Sequence, residues 1–390
     1  MIQRFASPRR AAFVLLSLVC FASTLGLAQA GSSQVPATGN RIFVHSKFGG
    51  QIFGFDIDQN GTEGVLTEAQ TLSNGNILAA VETFDQTTGK ILSVLAKTQT
   101  QDDYVTLGVA GTSVGLIEHE HVVSLLNVQR TFQTINPLSG NKFSGKWTPP
   151  LGQKHLITSV TRNQGTGNVA VFAEDNSGNF IPYVFSSNVG ANTFGPVIQI
   201  TDSDNFGSVP PPIALNSATN VAYLGGGNGC FGCSPVIGVA DLTNGTFTEF
   251  GGQGFGFVNG IAVDSVDNVV CTTTEDDATV EFYQINNNAA FSVVLPNSSA
   301  DPQFFSGADV QFDPINKLFF VAQPNSSESA TGSTIYVYDI NGNLRRFING
   351  FSFSNAFNVV PAHIALNPST RTGFVDGPNA GVTDIESFTY

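Results

Sequence analysis

"IAVDSVDNVVCTTT", residues 261–274, is the stretch from which the fold is read. Apolar residues alternate up to an aspartate, a short turn follows, and a second apolar run departs. A period of two is the mark of a half-buried strand. The Asp side chain can cap the turn by accepting backbone N–H groups. The unit recurs as "IALNSATNVAYLGG" (213–226), "VQFDPINKLFFVAQ" (310–323) and "IALNPSTRTGFVDG" (364–377). Looser copies are "AVETFDQTTGKILSVLA" (80–96) and "SVTRNQGTGNVAVFA" (159–173). The capping Asp or Asn falls at 85, 163, 216, 264, 313 and 367. The last four steps are 53, 48, 49 and 54 residues, and the first, of 78, conceals one degraded copy.

A third strand follows each pair, in "IFGFDID" (52–58), "TFQTIN" (131–136), "VEFYQIN" (280–286) and "IYVYDIN" (335–341). A fourth, such as "KFSGKWT" (142–148), closes the unit. Four antiparallel strands in a repeat of about 40–50 residues are the signature of a β-propeller blade. The expected fold is all-β, a propeller of about seven four-stranded blades, with eight the alternative. "RIFVHS" (41–46) at one end and "DIESFTY" (384–390) at the other are expected to meet in or beside one blade and close the ring.

Composition agrees. Only 12% of the 390 residues are charged, while Gly numbers 41 and Phe 33, as suits strands joined by tight turns. Residues 1–30 read as a secretory signal peptide: Arg4, Arg9 and Arg10, the apolar run "AAFVLLSLVCFASTLGLA", then "AQA" with cleavage near Ala30. The expected organisation is a signal at 1–30, a linker at 31–39 and one propeller domain at 40–390. Removing three arginines and no acid takes the formal net charge from −14 to −17. That excess disfavours nucleic acid and anionic membrane surfaces as partners. No later apolar run spans a bilayer. The chain is expected to be exported, to periplasm or extracellular space, and monomeric. In that compartment Cys230 and Cys233 of "CFGC" are expected to form a short disulfide, and Cys271 to be buried and inert.

"RIFVHSKFGGQIFGFDIDQNGTEGVLTE" (41–68) resembles the opening of lactonase-type and YVTN-like propellers, and "VNGIAVDSVDNVVCTTT" (258–274) resembles an NHL or gluconolactonase-type repeat. The likeness lies in the blade frame, which specifies a fold better than an activity. It implies a channel in which gluconolactonase-type enzymes hold a divalent metal with a Glu, an Asn and an Asp. Asn259 matches that family's Asn-Gly, but its "E-G-P" motif is absent, and Glu82 lies instead in "AAVETF".

Counting back from each capping residue separates two sets. One and three back lie Leu215 and Ile213, Val263 and Ile261, Phe312 and Val310, Leu366 and Ile364, all apolar and expected between blades. Two and four back lie Thr83 and Val81, Thr161 and Ser159, Ala214 and Pro212, Ala262 and Gly260, Gln311 and Asp309, Ala365 and His363, expected to face the channel. Asp309 and His363 share a register in adjacent blades. They read either as a mutually satisfied structural pair or as polar anchors for a ligand. Phe255, Phe257, Phe304, Phe305, Phe351, Phe353 and Phe357, in loops entering the same face, are candidates for an apolar rim, with inter-blade packing the other reading.

"GLIEHEHVV" (115–123) places His119 and His121 two apart, on one face of a strand. Two imidazoles fall short of the three protein ligands zinc requires, and no third is evident. A polar strand stripe is expected, with His119 and His121 as weak metal candidates. No cofactor is predicted, although the lactonase likeness leaves a divalent metal open. No nucleophile elbow is read from the sequence, although "GTSVG" (111–115) spells GxSxG, and no phosphate-loop pattern is present. The function expected is binding of a small molecule or protein at one channel mouth, with a lactonase-like hydrolase as the alternative.

Overall fold

The structure is a computed structural model. It describes residues 41–390 other than 59–61, 100–101, 110–114, 125–126, 137–141, 148–154, 163–167, 176–180, 189–192, 202–205, 207–210, 228–234, 252–256, 275–278, 297–307, 324–332, 352–362 and 377–383. Twenty-nine strands are described, all paired antiparallel. Strand β1 (Phe43–His45) precedes blade I, which is β2 (Gln51–Ile57), β3 (Glu63–Thr71), β4 (Ile77–Asp85) and β5 (Ile91–Gln99). Blade II is β6 (Asp102–Val109), β7 (Gly115–Ser124), β8 (Asn127–Asn136) and β9 (Lys142–Trp147). Blade III is β10 (His155–Arg162), β11 (Val169–Asp175) and β12 (Pro182–Asn188), with an outer edge split between β13 (Thr193–Phe194) and β14 (Ile198–Gln199). Blade IV is β15 (Ile213–Asn216), β16 (Val221–Gly227), β17 (Pro235–Asp241) and β18 (Thr246–Gly251). Blade V is β19 (Val258–Asp264), β20 (Val269–Thr274), β21 (Thr279–Gln284) and β22 (Ala289–Val294). Blade VI is β23 (Asp309–Asp313), β24 (Leu318–Gln323), β25 (Ser333–Asp339) and β26 (Leu344–Phe351). Blade VII is β27 (Ile364–Asn367), β28 (Thr372–Asp376) and β29 (Asp384–Thr389), with β1 as its outermost strand.

This is an all-β propeller. Six sheets have four strands and blade III has five, against the uniform four-stranded blades expected. The first strands of successive blades touch in a closed circuit, β2–β6–β10–β15–β19–β23–β27 and back to β2. The ends meet as expected: β1 pairs with β29 in the register Phe43–Glu386, Val44–Ile385, His45–Asp384. One blade is thus built from both ends of the described chain, which closes the ring without leaving an open edge at the join.

The turn chemistry read from the repeats is present. Asp264 Oδ1 accepts Val266 N at 2.9 Å, Asp313 Oδ1 accepts Ile315 N at 2.8 Å, and Asn216 Oδ1 accepts Ala218 N at 2.9 Å. The fourth residue after each cap is left-handed, at Asn220, Asn268, Lys317 and Arg371, with φ between 54° and 57°. Their side chains join neighbouring turns around the ring. Lys317 Nζ meets Asp264 Oδ2 at 2.9 Å, Asn268 Oδ1 accepts Asn216 Nδ2 at 3.1 Å, and Arg371 reaches Asn316 Oδ1 at 3.0 Å.

Two expectations are corrected. Asp85 does not cap the first inner hairpin. It caps the turn between β4 and β5, like Asp241 between β17 and β18 and Asp339 between β25 and β26. The first inner strand is "IFGFD", read from sequence as a third strand, because both kinds of hairpin carry an Asx-capped turn. Alternate residues of the inner strands also do not divide between core and channel. Both sheet faces of a blade pack on neighbouring blades. Ala214 of β15 lies in the cluster holding Ile261 and Val263 of β19, Ala262 with Val310 and Phe312 of β23, and Ala365 with Ile52 of β2. Strands β15, β19 and β27 each present an alanine to the blade that follows and a leucine or isoleucine to the blade that precedes. Near the axis the strands crowd, and only one side of each contact has room for a branched side chain.

Candidate functional site at the channel mouth

Inner strands β19, β23 and β27 begin on the same side of the ring, and the position four before each cap is Gly260, Asp309 and His363. A Cβ on Gly260 would sit 2.6 Å from Asp309 Cα and 2.7 Å from Val310 N, so β19 and β23 run closer here than any side chain allows. That approach sets Asp309 against β27. Its Oδ2 accepts Ile364 N at 2.8 Å, and its Oδ1 accepts Val310 N at 2.7 Å. Gln311 adds a side-chain hydrogen bond. Asp309 therefore clamps blade VI to blade VII. Burial raises its carboxyl from 3.8 to about 6, against the opposing pull of the His363 charge and these hydrogen bonds.

His363 stands next to this clamp. Its ring Nδ1 lies 3.2 Å from Asp376 Oδ1, and its backbone N–H donates to the same oxygen at 2.7 Å. Asp376 N returns a bond to the His363 carbonyl at 3.1 Å, so the two residues are locked across the β27–β28 pair. Burial pulls the imidazole down, but the Asp376 carboxylate, its hydrogen bond and the Asp309 charge outweigh it and raise His363 from 6.5 to about 9. The ring is thus a cation at neutral pH, with both nitrogens donors. The side chain is 33% exposed, and Nε2 has no hydrogen-bond partner among the described residues.

Asp309 lies beside Gln311 and His363, the residues that the sequence singled out with it, and Asp376, which the sequence reading passed over, joins them. It is the residue that fixes the ring, and it closes "TGFVD" in a second strand, where the reading sought only core. Asn259 is passed over by the β19–β20 register at a bulge between Val258 and Gly260, which re-aims its side chain from the regular pleat. Of the expected rim, Phe257 is half-buried. Phe351 is core, stacked edge-on against Phe388 at 5.7 Å and beneath Arg41 at 4.5 Å. Phe255, Phe304, Phe305, Phe353 and Phe357 lie outside the described residues, as do Cys230 and Cys233 and the segment 1–40. His119 and His121 fall in one continuous strand, β7, paired with Tyr104 and Asp102 of β6. No group of three or more His, Cys, Asp or Glu that could hold a metal occurs among the described residues. Cys271 is free and wholly buried, and burial pushes its thiol well above the ordinary range. No described helix is long and apolar enough to cross a membrane.

No family model matches the chain, and no curated protein matches it. Among solved structures, a crystal structure of Raptor from Chaetomium thermophilum is similar, with a TM-score of 0.58 at 10% identity. The match covers 89% of this chain and 29% of that one, so the chain spans less than a third of that protein's length. A likeness at this identity shows the fold alone.

Proposed function

We propose that this chain is an exported propeller that binds a small molecule or a protein segment at the channel mouth where β19, β23 and β27 begin. The observation that supports the reading is His363: a part-exposed imidazolium, oriented by Asp376, with an N–H left to donate. A ligand meeting it needs an acceptor, and a carboxylate or phosphate suits it best because charge-assisted bonds are the stronger ones. Half-buried Phe257 supplies apolar contact. The lactonase-like alternative fits less well. Hydrolysis through this pair needs a general base, and an imidazole raised to about 9 donates at neutral pH rather than accepts.

The test is a panel of small carboxylic acids, phosphates and lactones titrated against the mature chain by NMR, following the Ile364 and Val310 amides. Acidic members are expected to shift both signals at pH 7, and His363→Asn to abolish the response while the variant still folds, at some cost in stability because Asp376 loses its cation. Equal response in that variant, or preference for neutral lactones, refutes the reading. Mass spectrometry of exported protein tests the rest: cleavage near Ala30 and a Cys230–Cys233 disulfide.

A further inference from the structure

Residues 46–50, "SKFGG", lead from β1, outermost in blade VII, to β2, innermost in blade I. This strap therefore crosses the seam at which the ring closes. Three of its backbone N–H groups descend on two buried carboxylates. Lys47 N donates to Glu82 Oε2 at 3.0 Å, Phe48 N to Glu68 Oε1 at 3.1 Å, and Gly50 N to Glu68 Oε2 at 2.7 Å. Glu68 is 3% exposed and Glu82 is fully buried. Gly49 is left-handed at φ +66°, and a Cβ on Gly50 would lie 2.6 Å from the Ala69 carbonyl oxygen, so the strap is drawn tightly onto the sheet.

One atom is left over. Glu82 Oε1 is buried without a hydrogen-bond partner among the described residues. Its surroundings offer little to balance a charge. Leu66, opposite Glu82 in the sheet, and Phe84, two residues on, belong to the apolar cluster shared with Val44, Phe374 and Ile385 of blade VII. The charged groups acting on Glu82 are Glu68 from β3, which repels it, and Lys47 from the strap. On the blade VII side Arg41 is paired with Glu386 at 2.8 Å and His45 with Asp384 at 2.7 Å. Two adjacent carboxylates in such a seam cannot both hold a charge cheaply, and a buried acceptor with no donor is itself costly.

We propose that Glu68 and Glu82 share one proton and act as a latch on the strap, fastened while the proton is bound and loosened when it leaves to solvent. In the fastened state Glu82 Oε1 carries the hydrogen and donates it to Glu68, which keeps its two strap N–H bonds. Loss of the proton places two like charges side by side under the strap. Burial first, then the Glu68 charge, raises Glu82 from 4.5 to about 7, with the Lys47 N–H opposing, so the proton leaves within the physiological range. The carboxyl is protonated more readily when the strap is closed than when it is open. Closure is therefore fully favoured below about 4.5 and loses that support as pH rises to about 7.

Amide hydrogen exchange of the mature chain, corrected for the intrinsic pH dependence, reads the latch directly. Protection of Lys47, Phe48 and Gly50 is expected to fall by up to roughly tenfold per pH step between 5 and 7, then level off. Glu82→Gln, whose amide imitates the protonated acid, is expected to hold the strap protected throughout. Protection in the parent that does not change with pH, or a variant that follows the parent, overturns the proposal. Should the variant fail to fold, the carboxyl carbon shift of Glu82 in the parent decides: a titration midpoint near 7 supports the shared proton, and one below 5 overturns it.

Discussion

Gly260→Ala is the sharpest perturbation of this ring. The added methyl would stand 2.6 Å from Asp309 Cα, 2.7 Å from Val310 N and 2.8 Å from Asp309 C, all backbone atoms that no rotamer change can move. Carbon atoms pack at about 3.5–4 Å, so β19 and β23 must part by roughly 1 Å. Forcing extra volume into a packed interior costs about 1–3 kcal/mol, and the absence of a yielding side chain puts this site at about 3 kcal/mol. Separation also shifts Asp309, whose carboxylate holds Ile364 N at 2.8 Å, so the blade VI–VII clamp loosens together with the packing. Gly251→Ala is the control, because a Cβ there meets nothing within 4 Å and its backbone is not left-handed. Urea unfolding of both variants provides the assay. Gly260→Ala is expected to lower the midpoint well below that of the parent and of Gly251→Ala. A Gly260→Ala midpoint equal to that of the control refutes the inference that inner-strand spacing positions Asp309.

Stability is expected to be highest near pH 4–5 and to decline on alkalisation. Glu82 contributes below 4.5 and is lost by about 7, Asp309 below 3.8 and lost by about 6, and His363 below 6.5 and lost by about 9. The Glu82 interval alone, at about 1.36 kcal/mol per pH step, amounts to about 3 kcal/mol. Asp85, Asp241 and Asp339, held low mainly by turn hydrogen bonds despite burial, set the acid limit, and a higher urea midpoint at pH 8 than at pH 5 contradicts this account. Lys317→Met is expected to cost about 1–3 kcal/mol, discounted because Lys317 is 35% exposed, since buried Asp264 is left without its partner. Adding Asp264→Asn is expected to recover part of that loss in a double-mutant cycle, and strict additivity refutes the coupling.

The repeat of alternating strands with Asx-capped turns determined the propeller, because each turn is a local bargain between one side chain and two or three nearby N–H groups. Asp264, Asp313 and Asn216 cap their turns as their positions imply. The same locality misled the reading of Asp85, whose turn is chemically alike but lies between β4 and β5. Which face of an inner strand is small was also legible. Its meaning was not, because period two reports two faces without saying that a blade has neighbours on both. The candidate site divides in the same way. Asp309 and His363 stood out by shared register, whereas Asp376 orients His363 through the β27–β28 pairing. The Glu68–Glu82 pair meets its N–H donors only when the strap from β1 is folded over it. Burial, a partner on the adjacent strand and a crossing between blades are properties of the closed ring, and only tertiary structure brings those groups within reach of one another.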